Sequence, residues 1–349
     1  MATGLRELAE ELGLSMTTVS RALNGFPEVG AATRERVRRA AERTGYRANA
    51  TARRLATGRA NAFGIVFSTE RDVLDSPIVT DFLSGVGEVC AAEGIDLLLS
   101  PTRPGGEVAT CRRLIASGTV DALIVFANLF QDEGMMPLAG SGFPIVVHGR
   151  PPEGCAAPSL SIDNRGAFRL GAAHLLALGH RRIALLNGDE RQTYAIDRRR
   201  GFLDALEAAG VPVRSRDLTS GAHSFRHGLE TARRILRDPD RPTALLCSSI
   251  LTALGAMKAA AERGLAVPAD LSLLAHDDGV ASLPPEMASS ALSTLHSPVR
   301  AAGLSVARLA LRRIAGDAAG PLTEVWPAEL VERESTAAPP DLLPNANCP

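Results

Sequence analysis

From about residue 61 onward, short apolar runs alternate with longer amphipathic ones, and this constrains the fold more than any other feature of the chain. The apolar runs are Ala62–Phe67, Asp96–Ser100, Ala122–Phe126, Ile145–His148, Arg182–Asn187, Ala244–Cys247, Ser272–Ala275 and Leu292–Thr294. Helical periodicity fills segments between them, among them Thr80–Glu93, Arg165–Leu178, Arg199–Gly210, Phe225–Leu236 and Leu251–Arg263. Such βα alternation predicts parallel sheets with helices on both faces. A body of roughly 270 residues is large for one core, so two similar lobes are expected. Ligands of such folds sit beyond the C-terminal ends of the strands, where loops line a cleft.

The first sixty residues follow another rule. Leu5, Leu8, Ala9 and Leu12 recur at helical spacing, and Gly13 ends the run. Ser15 or Met16 opens a second helix through Leu23, which Asn24-Gly25 stops. Two helices around a glycine turn make a helix-turn-helix. A third helix is expected from Thr33 to Arg43, with Val37, Ala40 and Ala41 joining Ala9, Val19 and Leu23 inside. Met16, Thr17, Ser20 and Arg21 would face outward, at the helix end that enters the major groove in this motif. Eleven Arg against six Glu give this segment a charge of +5, whereas the remainder carries −6, for a total of −1. A basic head on an acidic body points to a polyanion-binding domain, although a solvated Arg-rich helix face accounts for the same numbers. Lys258 is the single lysine, so nearly all positive charge is Arg, which suits phosphate contacts.

Composition excludes several classes. At 45% hydrophobic and 22% charged, the 349 residues are too apolar for a disordered chain. No run of about 18 uncharged apolar residues predicts a membrane span. Met1-Ala2-Thr3-Gly4-Leu5-Arg6-Glu7 lacks a basic segment leading into an apolar one, so no secretory signal is expected and the cytoplasm is the expected location. Five Cys without CxxC spacing favour reduced, buried thiols.

The run from Leu5 through Ala9-Glu10-Glu11-Leu12-Gly13-Leu14-Ser15-Met16-Thr17-Thr18-Val19-Ser20-Arg21-Ala22-Leu23-Asn24 closely resembles the headpiece of LacI/GalR-type transcriptional regulators. Thr33-Arg34-Glu35-Arg36-Val37 and Gly45-Tyr46-Arg47 resemble it too, and the resemblance reaches about residue 335. It implies an α/β protein with an all-α helix-turn-helix headpiece at 1–47, a hinge helix or linker at 48–60 and an effector domain at 61–335. The effector domain would be bilobed, of the type-1 periplasmic-binding-protein fold. Lobe 1 would take about 61–160 and 292–322, and lobe 2 about 161–291 and 323–335, so the chain would cross near 160, 291 and 322. The Pro-rich tail, 336–349, is expected to be disordered and lacks heptads for a coiled coil.

The resemblance also implies roles for residues. Ser15, Met16, Thr17, Ser20, Arg21 and Asn24 fall at positions for contacting double-stranded operator DNA. Arg can pair bidentately with guanine, Thr can donate or accept, and Met can touch a thymine methyl. Ser15 equally fits a helix cap, and Ser20 simple exposure. Residues 48–60 are too short and apolar-poor to be a stable helix alone. In a homodimer two copies would pair over the minor groove, with Leu55 as the wedge and Asn49, Ala52 and Arg53 on backbone or groove. Ala48 stands where the family usually has Pro, which fixes the chain less firmly, and a flexible linker is the plainer reading.

In the body, Arg198-Arg199-Arg200-Gly201-Phe202 resembles the family element in which the first arginine, here Arg198, anchors an effector. Ala275-His276-Asp277-Asp278 matches a loop in which Asp277 would accept sugar hydroxyls, against the alternative of two loop-capping carboxylates. Asp163 is either a pocket contact or the N-cap of the next helix, and Gly179-His180-Arg181-Arg182 reads as helix-terminating structure. His148-Gly149-Arg150, Ser248-Ser249 and His276-Asp277-Asp278 resemble the branch containing α-glucoside regulators. That favours a saccharide over a purine and makes His148, Arg150 and Ser248 candidate partners. Phe67, Phe126, Tyr194 and His223 are the candidates for stacking on a sugar.

Enzyme motifs are scarce. Gly85-Val86-Gly87-Glu88-Val89-Cys90 lacks the last glycine of a dinucleotide loop, and His174/His180 and His223/His227 lack helix-spaced acid partners for a metal. No cofactor is expected. The expected function is a sequence-specific repressor of carbohydrate-utilisation genes, dimeric, without membrane contact, and controlled by a mono- or oligosaccharide. The rivals are a corepressor-dependent or non-sugar sensor of the same family, a sugar-binding transport protein, and an enzyme carrying a DNA-binding head. The headpiece opposes the second, and the missing phosphate-cradling loop opposes the third.

Overall fold

The computed structural model describes residues 4–46, 58–69, 76–127, 133–317 and 323–340. In the headpiece, α1 (Leu5–Leu12) ends at Gly13, whose φ of +61° costs glycine little. Helix α2 (Met16–Leu23) is capped by Ser15, whose Oγ accepts the Thr18 N–H at 3.0 Å. Helix α3 spans Ala31–Thr44, two residues earlier than the pattern predicted, because Ala31 and Ala32 are good helix formers. Leu8, Val19 and Val37 meet at the centre with no exposed surface, ringed by Leu5, Leu12, Leu14, Leu23 and Tyr46. Each such fully buried aliphatic contributes about 1.5–3 kcal/mol.

The body carries β1 (Ala62–Ser68), α4 (Pro77–Glu93), β2 (Asp96–Thr102), α5 (Glu107–Ala116), β3 (Ala122–Phe126), α6 (Met135–Ala139), β4 (Ile145–His148) and β5 (Ser159–Ile162). It continues with α7 (Asn164–Ala177), β6 (Ile183–Leu186), α8 (Thr193–Ala208), β7 (Leu218–Thr219), α9 (Phe225–Ile235), β8 (Ala244–Cys247), α10 (Ile250–Glu262) and β9 (Ser272–Asp277). Last come β10 (Ser293–His296), α11 (Val299–Ile314), β11 (Thr323–Trp326) and β12 (Glu329–Val331). Two six-stranded sheets result, in the orders β11-β5-β4-β3-β1-β2 and β12-β10-β9-β8-β6-β7. Strand β12 runs antiparallel to β10, a departure from the all-parallel expectation.

Both faces of the second sheet are buried, which is why its strands are continuously apolar. Leu245 and Leu273 point into one core, while their neighbours Leu246 and Leu274 point into another on the opposite face. Helices then pack pairwise through glycines. A Cβ on Gly201 of α8 would lie 1.9 Å from the Arg165 carbonyl oxygen of α7, so only glycine permits this approach. The pair α4 and α11 is built the same way, with Gly85 against the Arg300 carbonyl and Gly303 against that of Phe82. Gly85, the first glycine of the 85–87 run, is thus a helix-packing residue.

The chain crosses between lobes later than predicted. It leaves the first sheet after Ile162, returns after His296 and crosses again after Trp326. Strand β10 pairs with β9 (Thr294 opposite Ala275), so 293–296 belongs to lobe 2 rather than lobe 1. Strand β11 pairs with β5 (Val325 opposite Ser161), so 323–326 belongs to lobe 1 rather than lobe 2. A local apolar pattern reveals a strand but not the sheet whose edge accepts it. The expected tail is also shorter at its start. His180, fully buried, bonds Thr243 Oγ1 at 2.8 Å and Ser272 Oγ at 3.0 Å, and its Nε2 lies 2.9 Å from the Ala337 carbonyl. The Ala337 N–H returns a bond to Ser272 Oγ, tying residues 336–337 to the second lobe.

Candidate functional site

The strand ends of both lobes open on one cleft of about 430 Å³, in the size range of small-molecule sites. Arg198 forms its floor. Helix α8 carries Arg198 toward the cleft and Gly201 toward α7, one turn apart, so the helix packing fixes the arginine's place. Arg198 is only 4% exposed. Its Nε donates to Asn164 Oδ1 at 2.7 Å, its Nη1 to the Ser248 carbonyl at 2.7 Å and its Nη2 to His276 Nδ1 at 3.1 Å. The guanidinium lies 5.0 Å from the ring centres of both Phe168 and Tyr194. Arginine is always the donor, so His276 Nδ1 must be unprotonated. The His276 proton then sits on Nε2 and points to Ser297 Oγ at 3.2 Å.

Electrostatics follow from burial. Burial opposes the charge on Asp278, but the Arg198 guanidinium beside it holds the carboxyl below its ordinary range, so it is an anion. Burial pushes the His148 imidazole down to about 4 and that of His223 to about 3, leaving both neutral. His148 stacks on Phe82 with ring centres 4.5 Å apart, and His223 lies 5.2 Å from Tyr194. Across the mouth, Arg150 of lobe 1 grips Asp197 of lobe 2 bidentately at 2.8 and 3.0 Å.

These shifts set a pH dependence. An unfolded histidine titrates near 6.5. His148 and His223 bind protons more weakly when folded, so their contribution to stability is complete above pH 6.5 and lost as pH falls toward 4 and 3. Asp278, also lowered, adds a loss below its ordinary value of 3.8. The melting temperature should fall steadily from pH 7 to pH 4.5, and a His148→Phe/His223→Phe double variant should flatten the fall. A wild-type profile that is flat over this range contradicts the assignment of neutral histidines.

Phe67, Phe126, His148, Arg150, Tyr194, Arg198 and His223 line the cleft. Three expected contacts do not. Asp277 turns away: its Oδ2 faces His296 Nδ1 at 3.1 Å and its Oδ1 accepts the Gly279 N–H at 2.8 Å. Strand β9 runs through Asp277, and side chains alternate along it, so His276 and Asp278 share the cleft face instead. Asp163 caps α7, accepting the Gly166 N–H at 2.8 Å. Ser248 is fully buried behind the wall and offers Arg198 its carbonyl rather than its hydroxyl. Missed by the sequence reading are Asn164, Asp197, Asp278 and Glu107, all on the cleft. Among the described residues, no three His, Cys, Asp or Glu side chains converge to hold a metal.

In the headpiece, Met16 is 49% exposed, and Thr17 and Arg21 are exposed beside it. Ser15 spends its hydroxyl on the α2 cap and on Thr18 Oγ1 at 2.8 Å. Ser20 and Asn24 are half-buried and contact each other at 3.4 Å. Six of the seven arginines in residues 4–46 have internal partners. Arg6 pairs with Glu10, Arg38 and Arg39 with Glu35, and Arg43 with Glu11. Arg34 donates to the Phe26 and Val29 carbonyls, and Arg36 to that of Leu12. Among the described residues Arg21 has none. Asn49, Ala52, Arg53 and Leu55 lie outside the described residues.

Comparison with known proteins agrees with this architecture. Residues 4–49 match the bacterial regulatory proteins of the lacI family, and residues 172–336 match a periplasmic binding protein-like domain. The transcriptional regulator AglR of Rhizobium meliloti is 43% identical over 99% of this chain and 98% of its own length. RafR of Escherichia coli is 36% identical over 78% of this chain and 81% of its own. Among solved structures, the lac repressor dimer bound to operator and the anti-inducer ONPF has a TM-score of 0.84 at 27% identity, covering 97% of this chain and 100% of that one. A complex of the transcriptional regulator CelR with cellobiose has a TM-score of 0.70 at 28% identity, covering 95% and 99%. This chain belongs to the LacI family of bacterial transcriptional regulators.

Proposed function

We propose that the chain is a dimeric repressor whose hold on operator DNA is set by a saccharide bound in the cleft. The observation that carries the reading is the Arg198 site. A buried guanidinium fixed by three acceptors stands beside an ionised Asp278, between aromatic rings and neutral imidazoles. That set offers charge-assisted bonds to hydroxyls and flat faces to the apolar side of a pyranose. The likeness of His148-Gly149-Arg150 and His276-Asp277-Asp278 to α-glucoside regulators favours an α-glucoside.

At the DNA end, Met16, Thr17 and Arg21 face the major groove of a half-site, and the 48–60 segment pairs with its twin at the operator centre. Closure of the lobes changes the separation of the two headpieces and so couples cleft to operator. This reading needs no catalytic step, and no described helix is long and apolar enough to cross a membrane.

The test begins with full-length protein selecting from a random duplex library, where a pseudo-palindrome should be enriched. Maltose, sucrose and trehalose are then titrated against the selected duplex, and one of them should change operator affinity by about 5–150-fold. Absence of any enriched sequence removes the DNA half of the proposal. An affinity unmoved by every saccharide removes the sensing half.

A further inference from the structure

Glu107 opens α5 in lobe 1, lines the cleft and is only 7% exposed. Buried carboxylates are almost always paired. Among the described residues Glu107 makes neither a hydrogen bond nor an ion pair. Its oxygens are not among the sealed polar atoms of the core, and the residue lines the cleft. The other charged groups of the cleft do have partners: Arg150 holds Asp197, Arg198 has its three acceptors, and Asp278 lies beside His276 and Arg198.

The chain builds this position. Gly105 takes a φ of +80°, and a Cβ on Gly106 would lie 2.6 Å from Thr102 Oγ1, so two glycines let α5 start hard against the end of β2. The helix N-terminus then favours an anion at its first residue. What the position lacks is a donor. The charged lining consists of Arg150 and Arg198 against Glu107, Asp197 and Asp278, an excess of one negative charge among the described residues. Among the described residues, an anionic ligand would meet only Arg150 and Arg198, both already partnered, in a lining that is net negative.

We propose that Glu107 is a second ligand-binding carboxylate, accepting two neighbouring hydroxyls of the saccharide from lobe 1 while Arg198 and Asp278 hold it from lobe 2, so that the cleft takes uncharged saccharides and refuses phosphorylated or acidic ones. This rests on the saccharide reading above. It makes Glu107 the specificity determinant for charge and gives each lobe its own carboxylate, so a bound sugar bridges the lobes.

The test uses full-length protein, calorimetry and thermal melting, with maltose, sucrose and trehalose as neutral probes and trehalose 6-phosphate as the charged one. Wild type should bind a neutral disaccharide and not trehalose 6-phosphate. In Glu107→Gln the Kd for the neutral sugar should rise about ten- to a hundredfold, the range for losing bonds to a charged group. The unliganded melting temperature should stay or rise, because an unpaired buried charge has been removed, and trehalose 6-phosphate should gain affinity. A merely structural Glu107 would instead lower the unliganded melting temperature and leave the Kd alone, which overturns the proposal. So does wild type preferring trehalose 6-phosphate to trehalose. If no probe shifts wild type, the saccharide reading falls and takes this inference with it. If wild type and Glu107→Gln bind alike, only the Glu107 role falls.

Discussion

Replacing Arg198 by alanine should abolish the saccharide response of operator binding and weaken the sugar Kd by at least about a hundredfold. The expectation follows from what the side chain leaves behind. Asn164 Oδ1, the Ser248 carbonyl and His276 Nδ1 all lose their donor at once in a nearly dry site. Each orphaned buried acceptor costs about 1–3 kcal/mol. Asp278 also loses the arginine that helps hold its charge, and breaking a buried pair costs about 3–5 kcal/mol. The unliganded body should therefore melt earlier as well. Arg198→Lys separates charge from geometry. It keeps the cation but cannot reach three acceptors in three directions, so its sugar affinity should fall between wild type and Arg198→Ala. Calorimetry on the three proteins checks this, and a lysine variant equal to wild type would show that charge alone suffices.

Arg198 was legible through the likeness of Arg198-Arg199-Arg200-Gly201-Phe202 to a family element, and the structure supplies a physical reason for its glycine, which the α7 carbonyl forces. Asp278 was not legible, for a reason of parity. The apolar pattern ends β9 at Ala275 and leaves His276-Asp277-Asp278 as a loop with no fixed alternation, whereas the strand continues through Asp277 and its alternation puts His276 and Asp278 on one face. Lobe membership of 293–296 and 323–326 was hidden for a related reason: a short strand records its own period and not the neighbour it pairs with. Glu107 gave no signal at all. Gly105-Gly106-Glu107 reads as a turn followed by a solvated helix start, whereas Glu107 is buried at the cleft. The headpiece was almost fully legible, since its helices, caps and core are all local in sequence.

That local legibility sharpens the expectation for Arg21→Ala. Arginines dominate the headpiece charge, yet most are committed inside it. Arg38 and Arg39 share Glu35, Arg43 reaches Glu11, and Arg34 and Arg36 bond main-chain carbonyls. Arg21, exposed on α2 beside Met16 and Thr17, has no such commitment. Its truncation should leave the headpiece as stable as before, because no internal contact is lost. Operator affinity should nevertheless fall steeply. A bidentate base contact is worth about 1–3 kcal/mol, and a dimer carries the lesion in both half-sites, for about 2–6 kcal/mol in all. If Arg21 reads a base, the loss appears on the selected operator and not on random duplex. If it grips phosphate, both duplexes weaken alike and the salt slope drops by about one per copy. Arg38→Ala serves as the comparison, since it removes a charge from α3 that Glu35 already neutralises and should change affinity little. Equal operator binding by Arg21→Ala and wild type would mean that α2 does not present this face to DNA, and the groove would then have to be read by residues outside the helix-turn-helix.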